Sequence, residues 1–173
     1  MQSAWAVILC KFQEPTDPQY QMFSEQYYRD LFTAADKGSP WNMVRYFSDY
    51  SHGNLDLSGS EVFGVYQLAQ TVKYYNEQGQ AARGKLINWA RQAATDSGVN
   101  LAQFYSTVVC TNGWHDIGAW SYPETPPYGV VAMGPTAVPA TLGEEMGHVY
   151  GLMHSRIDGS DADYQDMWDG MSA

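Results

Sequence analysis

The stretch that most constrains this chain is Glu144-Glu145-Met146-Gly147-His148-Val149-Tyr150-Gly151-Leu152-Met153-His154. On an α-helix, residues four apart lie one above the other, so Glu144 and His148 project from one face. Glu145 lies beside them, rotated by about 100°. Gly151 comes three residues after His148, and glycine, which tolerates positive φ, commonly ends a helix. A sharp turn there brings His154 back towards Glu144 and His148. One carboxylate and two imidazoles then meet at a point, with a second carboxylate alongside. Catalytic Zn²⁺ sites take three protein ligands and keep one position open, and His₂Glu is one such ligand set. Glu145 stands where a general base takes a proton from water. The spacing predicts a helix over 139–151, with Leu142, Met146, Val149 and Met153 forming an apolar stripe below the site.

Written as E-E-x-x-H-x-x-G-x-x-H, the segment differs at one position from H-E-x-x-H-x-x-G-x-x-H, the zinc-binding motif of the metzincin metallopeptidases. Downstream, Trp168-Asp169-Gly170-Met171-Ser172 resembles the methionine turn that this family places beneath its metal. The form is that of secreted microbial members of the gametolysin and immune-inhibitor-A kind. His154-Ser155 and, more loosely, residues 46–59 resemble the same proteins. The resemblance implies a metzincin-like α/β catalytic domain: a twisted, mostly parallel sheet, a backing helix, an active-site helix and a minimal C-terminal subdomain. It implies a secreted zinc metalloendopeptidase that hydrolyses peptide bonds with a metal-activated water. Glu144, His148 and His154 are then the metal ligands, Glu145 the base and Met171 the turn under the metal. A peptide or protein substrate and a monomeric state are expected. Two features depart from the family. Glu144 replaces its first histidine, and the sequence stops directly after the methionine turn, where the family continues into a lower cleft wall.

These departures leave three functions open. The first is an endopeptidase impaired by Glu144. The second is a pseudopeptidase that binds peptide or protein in the retained cleft. The third is a non-peptidase metalloenzyme built on two histidines and one carboxylate, a donor set that suits Fe²⁺ and other divalent ions as well as Zn²⁺. Glu144 itself has rival readings. Thr141-Leu142-Gly143-Glu144 fits the Thr-x-x-Glu capping box, in which the glutamate bonds back to the start of the helix. It also fits a residue introduced to disable the site. Asp158, Asp161, Asp163 and Asp166 follow at short spacing. Such carboxylates can hold Ca²⁺, but the spacing is not that of an EF-hand, and a solvated acidic loop is expected. His115, within Trp114-His115-Asp116, and His52, before Gly53, read as surface-loop positions.

At 173 residues and 45% hydrophobic composition, the chain is expected to form one domain, 1–173, with a full core. A net charge of −10 repels phosphate backbones and anionic surfaces, so neither nucleic acid nor membrane is an expected partner. No apolar run is long enough to cross a bilayer. Residues 4–10 are apolar without a basic stretch before them and read as a buried strand, so the leader of a secreted protein is expected to be missing from this chain. Cys10 and Cys110 both lie in apolar, β-branched runs. A bridge between adjacent parallel strands is geometrically awkward, and two buried free thiols are expected. Strands are predicted over 4–12, 54–58, 62–69, 105–111 and 128–133, and a loop over 112–127. Helices are predicted over 19–35, 40–50 and 80–97, in addition to the motif helix. The first buries Phe23, Tyr27, Leu31 and Phe32, and the third buries Leu86, Ala90 and Ala93. Strands alternating with helices indicate an α/β fold around a mostly parallel sheet.

Overall fold

Strand β1 (Trp5–Lys11) has no polar side: every residue from Trp5 to Cys10 is buried. A strand hidden on both faces needs cover on both faces. The computed structural model, which describes residues 2–13, 18–33, 42–113, 118–122, 129–133, 136–166 and 169–172, supplies that cover. Strands β2 (Glu61–Gln67) and β3 (Ser106–Thr111) pair in parallel with the two edges of β1. Strand β4 (Ala119–Tyr122) runs antiparallel to β5 (Gly129–Met133), which itself pairs in parallel with β3. The sheet order is β2-β1-β3-β5-β4, a five-stranded and mostly parallel α/β arrangement.

Residue parity divides the core in two. On one face Ile8, Cys10 and Val109 pack against Leu86, Ile87 and Ala90 of α4 (Ala82–Asp96) and Tyr75 of α3 (Val72–Glu77). On the other, Trp5, Val7, Leu9, Val108 and Cys110 meet three helices. Tyr28 and Phe32 come from α1 (Glu25–Phe32), Met43 and Phe47 from α2 (Met43–Tyr50), and Leu142 and Met146 from α5 (Pro139–Val149). The motif helix thus lies on the face opposite α4. Side-chain caps start α1 and α2: Ser24 accepts from the Tyr27 N–H and Asn42 from the Arg45 N–H, each worth about 1 kcal/mol.

Several expected elements change. The first helix begins at Glu25, because Ser24 caps it and only a 3₁₀ turn, Pro18–Tyr20, precedes it. Its buried residues are Tyr28, Leu31 and Phe32, while Phe23 stays 37% exposed. Residues 54–58 do not form a strand. Asp56 makes one isolated bridge to Gln2 and turns the chain by accepting the Ser58 N–H at 2.8 Å. Helix α3, capped by Thr71, was not expected. Nor was β4, four residues long and set inside the expected 112–127 loop. On α4 the buried alanine of the last turns is Ala94 rather than Ala93. Among the described residues, no helix is long and apolar enough to cross a membrane.

The sheet register also settles the cysteines. Cys110 lies opposite Leu9, so Cys10, one residue on, points to the other face, and each thiol sits in a different half of the core. Both are free and buried. Burial pushes the Cys10 thiol up to about 12 and the Cys110 thiol up as well, which leaves neither as a reactive thiolate. Thermal unfolding should therefore show the same midpoint with and without reductant, and a thiol reagent should titrate both cysteines only after denaturation. A midpoint that falls on reduction would reveal a bridge.

Candidate metal centre

Helix α5 starts with Val138 in an extended conformation and Pro139 in the first turn, where the missing N–H and fixed φ of proline are tolerated. Thr141 therefore lies inside the first turn, and no side chain caps the helix. The capping-box reading of Thr141 and Glu144 falls for that reason: Glu144 is too far into the helix to reach its first N–H groups. At the other end, Gly151 adopts φ +89°. The Leu152 N–H bonds to the Gly147 carbonyl at 3.0 Å and the Gly151 N–H to the His148 carbonyl at 2.9 Å. This pair of bonds is the Schellman ending, and it turns the chain back over the last helical turn.

The turn returns His154 to the helix. Glu144, His148 and His154 each offer one donor atom, and all three atoms lie within 4.8 Å of one another. His154 Nε2 is 3.8 Å from Glu144 Oε1, beyond hydrogen-bonding range and near the roughly 3.4 Å between two donors of one tetrahedral ion. The two imidazoles meet edge to face, with centroids 4.7 Å apart. Both rings are oriented through Nδ1. His148 Nδ1 bonds the Leu152 carbonyl at 2.9 Å, and His154 Nδ1 contacts Asp163 Oδ2 at 3.3 Å. With Nδ1–H donating in each ring, Nε2 is left as the acceptor nitrogen of each, the tautomer that outer partners of metal-binding histidines impose. One carboxylate and two such imidazoles fit a divalent cation.

Asp163 was expected in a solvated acidic loop that offered, as a weaker alternative, a Ca²⁺ site. Asp158, Asp161 and Asp163 are indeed exposed, and Asp163 in addition receives Arg156 Nε at 2.6 Å on one oxygen and meets His154 Nδ1 on the other. The Arg156 hydrogen bond, with help from His154, holds its carboxyl below the usual carboxylate range. Among the described residues no second group of three acidic or imidazole donors converges, so Asp158, Asp161, Asp163 and Asp166 form no Ca²⁺ cluster. His52 sits exposed in a turn at φ 51°. His115 and Trp168 lie outside the described residues.

The centre opens on a cleft of about 460 Å³ between α5 and residues 119–121 of β4. Glu144 is only 6% exposed. Burial raises its pKa, and His154 and His148 partly offset that effect. Burial pushes the Glu145 carboxyl up to about 7; a hydrogen bond from Ser121 opposes the shift, and the Glu144 charge adds to it. Ser121 had no signal in the sequence, since its strand was not expected.

On one flank of the helix, about 100° round from Glu144 and His148, two glycines one turn apart let other groups approach. A β-carbon on Gly147 would lie 2.6 Å from Met171 Sδ, and one on Gly143 would lie 2.4 Å from Tyr46 Oη. Met171 is buried, and its turn is fastened by the Ser155 N–H to the Met171 carbonyl at 3.2 Å and by the Met171 N–H to Asp169 at 2.8 Å. Leu142 and Met146 are buried as expected, and Val149 is partly so. Met153 is 77% exposed because the helix has already ended. No protein-family model matches the chain, and no curated protein does.

Gly→Ala inside a helix ordinarily stabilises by up to about 1 kcal/mol. Gly143→Ala should instead destabilise by about 1–3 kcal/mol in urea unfolding, because the Tyr46 ring cannot retreat cheaply. A net gain in stability would contradict the close contact. The raised pKa of Glu145 means that the fold favours its neutral form. The associated stability is full below the unfolded value of about 4.5 and is lost as pH rises through about 7. With chelator present, Glu145→Gln should match the parent near pH 4.5 and exceed it by on the order of 2 kcal/mol above pH 7. Parallel stability–pH curves for the two proteins would refute this.

Proposed function

We propose that this protein is a metal-dependent endopeptidase of the metzincin type, with a divalent cation held by Glu144, His148 and His154 and with Glu145 as general base. The observation that carries this reading is the convergence of the three donors while each histidine already spends Nδ1 on a neighbour. Two histidines and one carboxylate suit Zn²⁺, and Fe²⁺ as well. A cation bound there supplies Lewis acidity, acidifying a water and polarising the carbonyl under attack.

The remaining roles belong to the chain. Glu145, with its carboxyl up at about 7, can accept a proton from water near neutral pH and pass it to the leaving amine. Ser121 holds that carboxyl from β4. Strand β4 ends the sheet and borders the cleft, so an extended peptide can add to its outer edge through main-chain hydrogen bonds. In that pose a peptide's main chain would run beside the centre without needing a deep pocket, which suits a secreted endopeptidase acting on a peptide or protein substrate. Asp163, braced by Arg156, keeps His154 aimed, and Met171 supports the helix at Gly147.

A second reading rests on Glu144. A carboxylate in place of an imidazole adds negative charge to the centre and weakens the Lewis acidity available there. A protein that keeps the cleft and binds peptide without cutting it fits that feature. The test uses the purified chain, Zn²⁺ competition against a chelator, and cleavage of a denatured protein. We expect zinc binding in the parent and in Glu145→Gln, its loss in His148→Ala, and a 10²–10⁴-fold lower rate in Glu145→Gln. The same variant is then more stable and less active than its parent, the trade expected of a catalytic group. Zinc-loaded parent that binds peptide but never hydrolyses it would leave the binder as the answer. Iron with oxygen-dependent turnover would point to a different metalloenzyme.

A further inference from the structure

We infer that Tyr164 is a tethered competitor for the metal-facing nitrogen of His154: its hydroxyl and a cation claim the same lone pair, so the phenol must swing away before the three donors can act together. The inference rests on the metal-centre reading and deepens it.

The geometry is specific. Tyr164 Oη lies 2.7 Å from His154 Nε2, while Nδ1 of the same ring faces Asp163 at 3.3 Å. Asp163 can only accept when ionised, so Nδ1 carries the proton and Nε2 offers its lone pair to the tyrosine hydroxyl. That same nitrogen is the one 3.8 Å from Glu144 Oε1. The two rings lie against each other with centroids 4.2 Å apart. Tyr164 is held there by its backbone: it adopts φ 61°, uncommon for a residue with a side chain, and its N–H bonds the Ser155 carbonyl at 2.9 Å. The outward side is open, since Tyr164 is 51% exposed. A rotation about its own side-chain torsions therefore frees Nε2 without disturbing the core.

Asp163 and Tyr164 thus act on one imidazole from its two nitrogens with opposite consequences. Asp163 fixes the tautomer that can bind a cation, and Tyr164 occupies the site that this tautomer exposes. Tyr164→Phe keeps the ring contact and removes only the competing hydroxyl. A hydrogen bond of this kind has a modest net worth, so Zn²⁺ affinity should rise about three- to tenfold in Tyr164→Phe.

The test titrates Zn²⁺ against a chromophoric chelator in the full chain as parent, Tyr164→Phe and His148→Ala, with circular dichroism confirming that each is folded. In the chelator-stripped parent and Tyr164→Phe, ¹⁵N NMR reads the His154 Nε2 shift, which should move when the hydroxyl is removed. Tighter zinc binding in Tyr164→Phe together with that shift supports the competitor. Unchanged affinity overturns it, and so does weaker affinity, which would make the phenol a supporter of the cation. If folded parent and His148→Ala both fail to bind zinc, the metal-centre reading falls and the competitor falls with it, whatever the NMR shift shows about the hydrogen bond.

Discussion

The left-handed turn at Gly151 is the constraint on which the site depends. A side chain at φ +89° is strained, and glycine removes that cost. Two backbone bonds, Leu152 to Gly147 and Gly151 to His148, close the helix at that point. The reversal does more than bring His154 home. It places the Leu152 carbonyl 2.9 Å from His148 Nδ1, so the turn that ends the helix also orients the histidine one turn before its end. Had the helix run on, His148 would lack that partner and His154 would leave its face.

A turn can aim side chains only if the helix beneath it is held still. The end of α5 is tied to the sheet through Tyr150, whose hydroxyl accepts the Trp5 indole N–H at 2.8 Å and donates to Ser3 at 3.1 Å. Trp5 is fully buried, so its N–H needs such a partner. Tyr150 also packs on Phe47 and Tyr105, at 5.3 and 5.1 Å between ring centroids. The helix therefore has two distinct long sides. Glu144 and His148 face the cleft, while Gly143 and Gly147 admit Tyr46 and Met171 on an adjoining flank. Packing on that flank fixes where the donors stand.

What was legible in the sequence follows from this division of labour. The donor triad and the Gly151 turn could be read because they lie within eleven consecutive residues governed by helical spacing. The buried strands β1 and β3 could be read because one is an apolar run from Trp5 to Cys10 and the other is a short β-branched segment around Val108 and Val109. Strand β4 could not: it is four residues long, and only its pairing with β5 makes it a strand. Ser121 went unseen with it. Asp163 looked like one of several loop acids, since its link to His154 spans nine residues of irregular chain. The same irregularity hid Tyr164. The roles of Gly143 and Gly147 were hidden for a different reason. A helix glycine reads as a propensity defect until the atoms behind it, from Tyr46 and Met171, are in place.

The electrostatics of the cleft favour one class of ligand. Glu144 and Glu145 adjoin each other, and burial raises the pKa of both, so each lacks full compensation for its charge. Among the described residues, no lysine or arginine lines the cleft, and Arg156 is committed to Asp163. A divalent cation on Glu144 would relieve both carboxylates at once, directly for one and through space for the other. An anionic ligand would meet repulsion and no counter-charge. This cleft offers an edge strand and acidic walls, which suits an uncharged main chain lying beside a bound cation.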